Sequence, residues 1–567
     1  MNDALAMLRR WRCDHWLLTV LIGLVLFFVY DGGNWHTNAA SLMGSNSALP
    51  MQLLKVAVLT LVTVIGYSAV AAALLSRCWP LFLVGLAIYL GGIVNRFIMD
   101  LSGSFPDATL FAVGMQEHAM AMNFFSSNWK LVLMTGGYSS ALLAAILVLR
   151  SKCVPNWSRS TAGESQERET GKRLVYVVGS LLVVAIVANG LLATSTDGRR
   201  PAAYGYNAIG EYLKALLMPQ IPYVQRATAP PVTCSSCPSI LFFAIDESIT
   251  HEALVASGST LPHGTAIGNQ WGVPAAYFSA YAAGNHSSIS NYILRLGVGK
   301  SAYPDIGYRT LSLPNIFSYA KAAGYETIFY DAQKESKRLQ NLMSQYDLKA
   351  VDRFLVADTS SDRFNRDMEA LDRLRDYIEA AGNERRLAIV LVKNGVHFPY
   401  VNSVPASRLS ELPEGCRSAD TSFSAQDAFC KKAQYEAAIR FAVDEFMGRL
   451  FSMLADKDFA LVYTSDHGQS ISSKYRLPHG SVENTSACEI SVPIFIAGKV
   501  FADGVQPEGV RSHFQIPPTI LRILGQQDRG DMRDPTLWEE WRGGDDFLYE
   551  PFAQASEWRR PAGPCVY

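Results

Sequence analysis

Five long apolar segments crowd into the first third of the chain: Trp16–Tyr30, Leu53–Leu75, Pro80–Met99, Leu131–Leu149 and Leu174–Thr194. A helix needs about 20 apolar residues to cross roughly 30 Å of hydrocarbon, and each segment approaches that length. The first is short enough to be a signal anchor. No small-residue cleavage site follows its apolar run, so no removable leader is expected. Core helices of a soluble protein are the alternative reading, but five such stretches in succession argue for membrane spans. Residues 1–195 are therefore expected to form a bundle of five transmembrane helices, followed by a linker over 196–237 and a second domain over 238–567.

The charges between the segments are asymmetric. Arg9, Arg10 and Arg12 precede the first, Arg77 separates the second and third, and Arg150, Lys152, Arg159, Arg168, Lys172 and Arg173 separate the fourth and fifth. Residues 31–50 and 100–129 contain neither Lys nor Arg. Because basic loops stay on the cytoplasmic side, the N-terminus is expected inside and the large C-terminal domain outside, in the periplasm. Cysteine placement agrees. Cys13, Cys78 and Cys153 fall at the expected cytoplasmic ends, whereas Cys234, Cys237, Cys416, Cys430, Cys488 and Cys565 all follow the last segment. An even number in an oxidising compartment predicts disulfides, with Cys234–Cys237 and Cys416–Cys430 favoured by proximity and the connectivity left open. The Cys-x-x-Cys could instead be a redox pair or half a zinc site. Two outer stretches can lie on the membrane surface: Thr109–Ser127, an amphipathic pattern carrying Glu117, His118 and Asn123, and the tyrosine-rich Tyr204–Gln225. Net charge is −1, which excludes nucleic-acid binding through bulk basicity.

From Pro238 onward the pattern changes. Ser239–Ile245, Thr327–Tyr330, Leu387–Val392, Ala460–Thr464 and Val492–Ala497 read as buried strands, with helical stretches such as Arg363–Ala381 and Ala433–Leu454 between them. This alternation predicts an α/β domain around a largely parallel sheet. Ligands of such sheets gather at the carboxyl ends of strands. Asp246, Glu247 and Ser248 end the first strand, His397 follows the third, and Asp466, His467 and Gly468 end the fourth. Carboxylate and imidazole together are a donor set that Zn²⁺ takes.

At these residues the sequence resembles the phosphoethanolamine transferases of the alkaline phosphatase/sulfatase superfamily, inner-membrane proteins with five transmembrane helices and a periplasmic catalytic domain. The motifs run in order: Ala244-Ile245-Asp246-Glu247-Ser248; Gly284-Asn285-His286-Ser287-Ser288-Ile289-Ser290-Asn291-Tyr292; Gly395-Val396-His397-Phe398-Pro399-Tyr400; Ser465-Asp466-His467-Gly468; His479-Gly480; Val492-Pro493-Ile494-Phe495; and Ser512-His513 with Pro517-Pro518-Thr519. The sequence departs from the family at three places. Thr250-His251-Glu252 stands where Arg-x-Asp is usual, Ser287 replaces the common threonine, and Val396 replaces a serine.

The resemblance implies Zn²⁺ held by Glu247, Asp466, His467 and Ser287. Ser287 would be the nucleophile, opening a helix whose N-terminus favours phosphate. His397 and His479 would hold phosphate oxygens or act as acid and base, and Glu117 would contact a lipid headgroup. The implied donor is phosphatidylethanolamine and the implied acceptor lipid A, with the group carried covalently on Ser287. Other readings stay open. Ser287 could be a plain helix cap and Ser288 the nucleophile; Asp246 could replace Glu247; His479 could be an ordinary loop histidine; His286 and His513 are unassigned. A phosphoglycerol transferase, a transferase acting on a periplasmic glycan, and a degenerate scaffold are alternatives. A formylglycine sulfatase is disfavoured, because no Cys/Ser-x-Pro-x-Arg lies near Ser287.

Overall fold

The computed structural model describes residues 15–30, 49–76, 79–102 and 129–153, isolated positions between 43 and 216, and most of 221–567. The chain divides into two compact units, Met1–Met218 and Pro219–Tyr567.

In the first unit the apolar segments form helices His15–Tyr30, Leu49–Leu75, Trp79–Ser102 and Trp129–Cys153. Two of them contain stretches long and apolar enough to cross a membrane, Trp79–Ile98 and Val132–Ser151. This differs from the five spans expected. Among the described residues, the first two helices contribute the apolar stretches Leu18–Tyr30 and Thr63–Leu75. Leu174–Thr194 lies outside the described residues, as do Glu117 and the rest of the Thr109–Ser127 stretch. Small residues let the helices approach closely, as membrane packing requires. A Cβ on Gly23 would lie 2.6 Å from Ser68 Oγ, and one on Gly85 would lie 2.7 Å from Ala73 Cβ. Tyr30 donates to Ser139 Oγ at 2.8 Å and Tyr89 donates to the Ser139 carbonyl at 2.6 Å, so these hydroxyls are satisfied inside the bundle.

The second unit is built on an eight-stranded sheet. Its strands are β1 (Ile240–Asp246), β2 (Ala275–Tyr281), β3 (Tyr325–Asp331), β4 (Arg353–Val356), β5 (Arg386–Val392), β6 (Phe459–Ser465), β7 (Ser491–Ala497) and β8 (Arg511–Ser512), in the order β4-β3-β5-β1-β6-β7-β2-β8. A separate ribbon pairs β9 (Phe547–Leu548) with β10 (Trp558–Arg559). β7 runs antiparallel to both its neighbours and the other strands share one direction. The sheet is therefore largely parallel, as expected, and mixed through β7.

Side-chain alternation explains why β1 reads as an unbroken apolar run. Phe242 and Ala244 enter the core on one face, and Leu241, Phe243 and Ile245 enter the core on the other. All five expected strands form. β2 escaped the sequence reading because Ala275–Tyr281 is only half-buried, and β4 because it is a short, partly exposed edge. The expected helix over Ala433–Leu454 is present, but a π-helical turn at Arg440–Glu445 separates Ala428–Ile439 from Phe446–Leu454. Cys234–Cys237 and Cys416–Cys430 are disulfide-bonded. The third disulfide joins Cys488 to Cys565 across 77 positions, a pair that proximity could not suggest.

Candidate metal centre

The carboxyl ends of β1, β6, β5 and β3 converge with the helix that follows β2. At the end of β1, alternation sends two adjacent acids to opposite destinations. Asp246 is wholly buried and pairs with the Lys393 ammonium; it also accepts from Tyr463 Oη at 2.7 Å and from the Glu247 backbone N–H at 2.9 Å. Glu247 faces the other way. Its Oε1 accepts from Ser248 Oγ at 2.6 Å, and its Oε2 accepts from Ser287 Oγ at 3.2 Å and Gln333 Nε2 at 2.8 Å. Ser248 takes a left-handed φ of 65° to make this turn. Gly395 lies directly against it: a Cβ there would sit 2.5 Å from Asp246 Oδ1 and 2.6 Å from the Glu247 carbonyl. With φ at 54° as well, this position needs glycine.

Asp466 and His467 leave the neighbouring strand. Asp466 Oδ1 accepts from the Ser248 and His467 N–H groups at 3.0 and 2.8 Å. His467 Nδ1 lies 2.9 Å from the Gly468 carbonyl, which places a ring hydrogen on Nδ1 and makes Nε2 the nitrogen that gives up its proton to offer a lone pair to a cation. That Nε2 is 3.5 Å from Glu247 Oε1, 3.6 Å from Asp466 Oδ2 and 3.3 Å from Ser287 Oγ. Donor atoms of Glu247, Asp466 and His467 all lie within 4.8 Å of one another.

This donor set fits a divalent cation. Two buried carboxylates share the site with one imidazole, and none of the three side chains reaches water. Burial and then the Glu247 charge push Asp466 up to about 8. Burial also opposes ionisation of Glu247, but the hydrogen bond and charge of His467 hold it well below its ordinary range. In His467, burial is outweighed by Asp466 and Glu247, which raise it to about 9. The cluster thus draws positive charge inward, and a cation bound by carboxylate oxygens and an imidazole nitrogen removes the repulsion between the two acids.

Ser287 is the first residue of helix Ser287–Arg295, with His286 extended at the cap position. Its oxygen is half-buried at the mouth of the cluster, beside the unpaired N–H groups of a helix start. His397 and His479 stand at the same mouth: the rings of His479 and His467 are 4.2 Å apart and those of His397 and His479 are 6.3 Å apart. His397 Nδ1 faces the Phe398 carbonyl at 2.7 Å and His479 Nδ1 faces Gln469 Oε1 at 3.2 Å, so both present Nε2 as a free acceptor. Burial lowers the pKa of both rings. His286 contacts the Tyr549 carbonyl at 3.2 Å. His513 bridges the Ala283 N–H and Thr464 Oγ1 at 3.2 and 3.1 Å, a tie within the fold.

Sequence reading missed four groups around this centre. Gln333 touches Glu247, and Asn291 Nδ2 reaches Asp466 Oδ2 at 3.5 Å. Lys393 neutralises Asp246 from behind. Glu489 accepts from Asn285 Nδ2 at 3.1 Å through its side chain and from the Gly468 N–H at 2.8 Å through its carbonyl, tying the Ser287 turn to the His467 turn. An amide three residues beyond a strand end was the only signal for Gln333. Lys393 immediately after β5 was a readable oddity, a charge on a buried strand.

Residues 276–526 match the sulfatase family. The second unit thus contains a region similar to the sulfatase family. The chain is 28% identical over 236 residues to the Kdo(2)-lipid A phosphoethanolamine 7''-transferase of Salmonella typhimurium, a match covering 38% of this chain and 40% of that relative. The aligned part thus spans less than half of that relative. It is 21% identical over 493 residues to the phosphatidylethanolamine transferase Mcr-2 of Escherichia coli, covering 82% of this chain and 87% of Mcr-2. The fold is shared with the integral membrane lipooligosaccharide phosphoethanolamine transferase A of Neisseria meningitidis, at a TM-score of 0.62 and 14% identity over 90% of this chain and 94% of that one.

Proposed function

We propose that the protein is an inner-membrane phosphoethanolamine transferase with its second unit in the periplasm, which moves the headgroup of phosphatidylethanolamine to lipid A through Ser287. The observation that carries this reading is the placement of Ser287 Oγ at a helix start, 3.2 Å from Glu247 and 3.3 Å from His467. The names of the relatives support the group transferred and the acceptor. Three disulfides in the second unit fit an oxidising compartment.

Glu247, Asp466, His467 and Ser287 would hold Zn²⁺, which when bound lowers the pKa of the Ser287 hydroxyl so that its oxygen is available as alkoxide. Ser287 Oγ then attacks the phosphorus of the donor. The new Oγ–P bond forms as the bond from phosphorus to the glycerol oxygen breaks. The leaving diacylglycerol oxygen takes a proton from His397 or His479, whose imidazoles the incoming phosphate favours in the charged form. In the second half-reaction an acceptor oxygen attacks the same phosphorus, the Oγ–P bond breaks, and the neutral imidazole takes the proton of a hydroxyl acceptor. N–H groups at the start of the Ser287 helix face the phosphate oxygens throughout.

Incubation with phosphatidylethanolamine and no acceptor tests the reading. Intact-mass analysis should show one phosphoethanolamine adduct, and peptide fragmentation should place it on Ser287. Ser287→Ala should release no diacylglycerol, and Ser288→Ala should keep substantial activity. An adduct on Ser288, or normal release by Ser287→Ala, would overturn the assignment.

A further inference from the structure

Glu247 carries two oxygens, and each is held by a donor other than Ser287. Ser248 Oγ holds Oε1 at 2.6 Å. Gln333 Nε2 holds Oε2 at 2.8 Å, on the same oxygen that Ser287 approaches. Each of these two donors uses one lone pair; the second lone pair of Oε2 is the one that Ser287 occupies while it keeps its proton, and it is free once Oγ is deprotonated. Nothing in the reaction described above uses Gln333.

The polarity of the Gln333 amide is dictated by what lies behind it. Gln340 Nε2 is 3.0 Å from Asp331 Oδ2 and 3.3 Å from Asp331 Oδ1, so an acceptor carboxylate marks that end of Gln340 as its NH₂. The same NH₂ lies 2.9 Å from Gln333 Oε1. Gln333 must therefore turn its oxygen toward Gln340 and its NH₂ toward Glu247. Asp331 is itself fixed at the end of β3, where it accepts from the Gln333 N–H at 3.1 Å. A chain of donors and acceptors thus runs from one strand end, through two amides, to the acid at the end of another strand, with every direction set by a carboxylate at each end.

We infer that Gln333 is a positioning residue for the metal: its amide, oriented by Gln340 and Asp331, fixes the rotamer of Glu247 so that the remaining lone pair of Oε2 points at the cation. The inference rests on the reading of Glu247, Asp466 and His467 as metal ligands. Groups that hold a ligand by hydrogen bond from outside the coordination sphere typically change metal affinity about 10- to 100-fold when removed. Both glutamines are only half-buried, so truncating either leaves the core intact.

The test uses the full-length protein in detergent and Zn²⁺ in competition with a chromophoric chelator. Gln333→Ala should bind Zn²⁺ about 10- to 100-fold more weakly with an unchanged unfolding midpoint. Gln340→Ala should weaken it less, and the double variant should be no worse than Gln333→Ala, because Gln340 acts only through Gln333. Wild-type affinity in Gln333→Ala, or additive losses in the double variant, would overturn the relay while leaving the metal site standing. A wild-type protein that takes up no Zn²⁺ would remove the metal reading and the relay with it.

Discussion

Lys393 is the sharpest place to perturb the fold beneath the site. Its ammonium is fully buried, pairs with Asp246, donates to the Ala442 carbonyl at 2.7 Å, and lies 3.8 Å from Asp367 Oδ2. The Phe446 ring sits 4.1 Å away. Lys393→Met keeps the length and the apolar stem but removes the charge. Two buried carboxylates then face each other without a cation. Breaking a buried pair by removing one partner costs about 3–5 kcal/mol. The scale agrees with the interaction of charges at the Asp367 distance, about 4 kcal/mol at an effective dielectric near 20.

The cost should also depend on pH. Burial pushes Asp367 up to about 6, from an ordinary 3.8, against the pull of Lys393. A carboxyl raised on folding contributes stability that is present below its unfolded value and is lost as pH rises through its folded value. Removing Lys393 raises Asp367 further, so the variant should lose additional stability between pH 6 and pH 8. Denaturant unfolding followed by tryptophan fluorescence at both pH values measures this. Lys393→Met combined with Asp246→Asn should recover part of the loss, since the uncompensated charge is gone. A cost below about 1 kcal/mol, or one that is flat with pH, would refute the view that Lys393 neutralises this buried acid pair. Asp246 also holds the Glu247 N–H, so the single variant should bind Zn²⁺ more weakly too.

Asp466→Ala removes one of two carboxylates from the cluster and should lose bound zinc and transferase activity together; undiminished zinc by elemental analysis would show that the ligand set is wrong. Replacing Cys488 and Cys565 by serine opens a loop of 77 residues and should cost about 4 kcal/mol on chain-entropy grounds, read as a lower denaturant midpoint than the parent under non-reducing conditions.

Much of this protein was legible because its physics is local. Apolar runs of spanning length mark helices wherever they fall, and a strand buried on both faces, such as Ile240–Asp246, must be apolar at every position. Strand ends in an α/β sheet collect function, so Glu247, His397, Asp466 and His467 could be named in advance. Five spans were expected, and among the described residues Trp79–Ile98 and Val132–Ser151 are long and apolar enough to cross a membrane.

What the sequence could not decide was which neighbours meet across distance. Whether Asp246 or Glu247 faces Ser287 depends on where Lys393 and Tyr463 sit behind β1, and those residues arrive from β5 and β6. The direction of β7 depends on how the chain returns to the sheet, and its residues read the same either way. The hydrogen bonds of Gln333, the bridge from Glu489 to the Ser287 and His467 turns, and the Cys488–Cys565 pairing likewise join segments far apart in the chain. Composition and spacing carry the chemistry of a residue; only the folded backbone sets the few ångströms that turn one acid toward Ser287 and its neighbour toward a lysine.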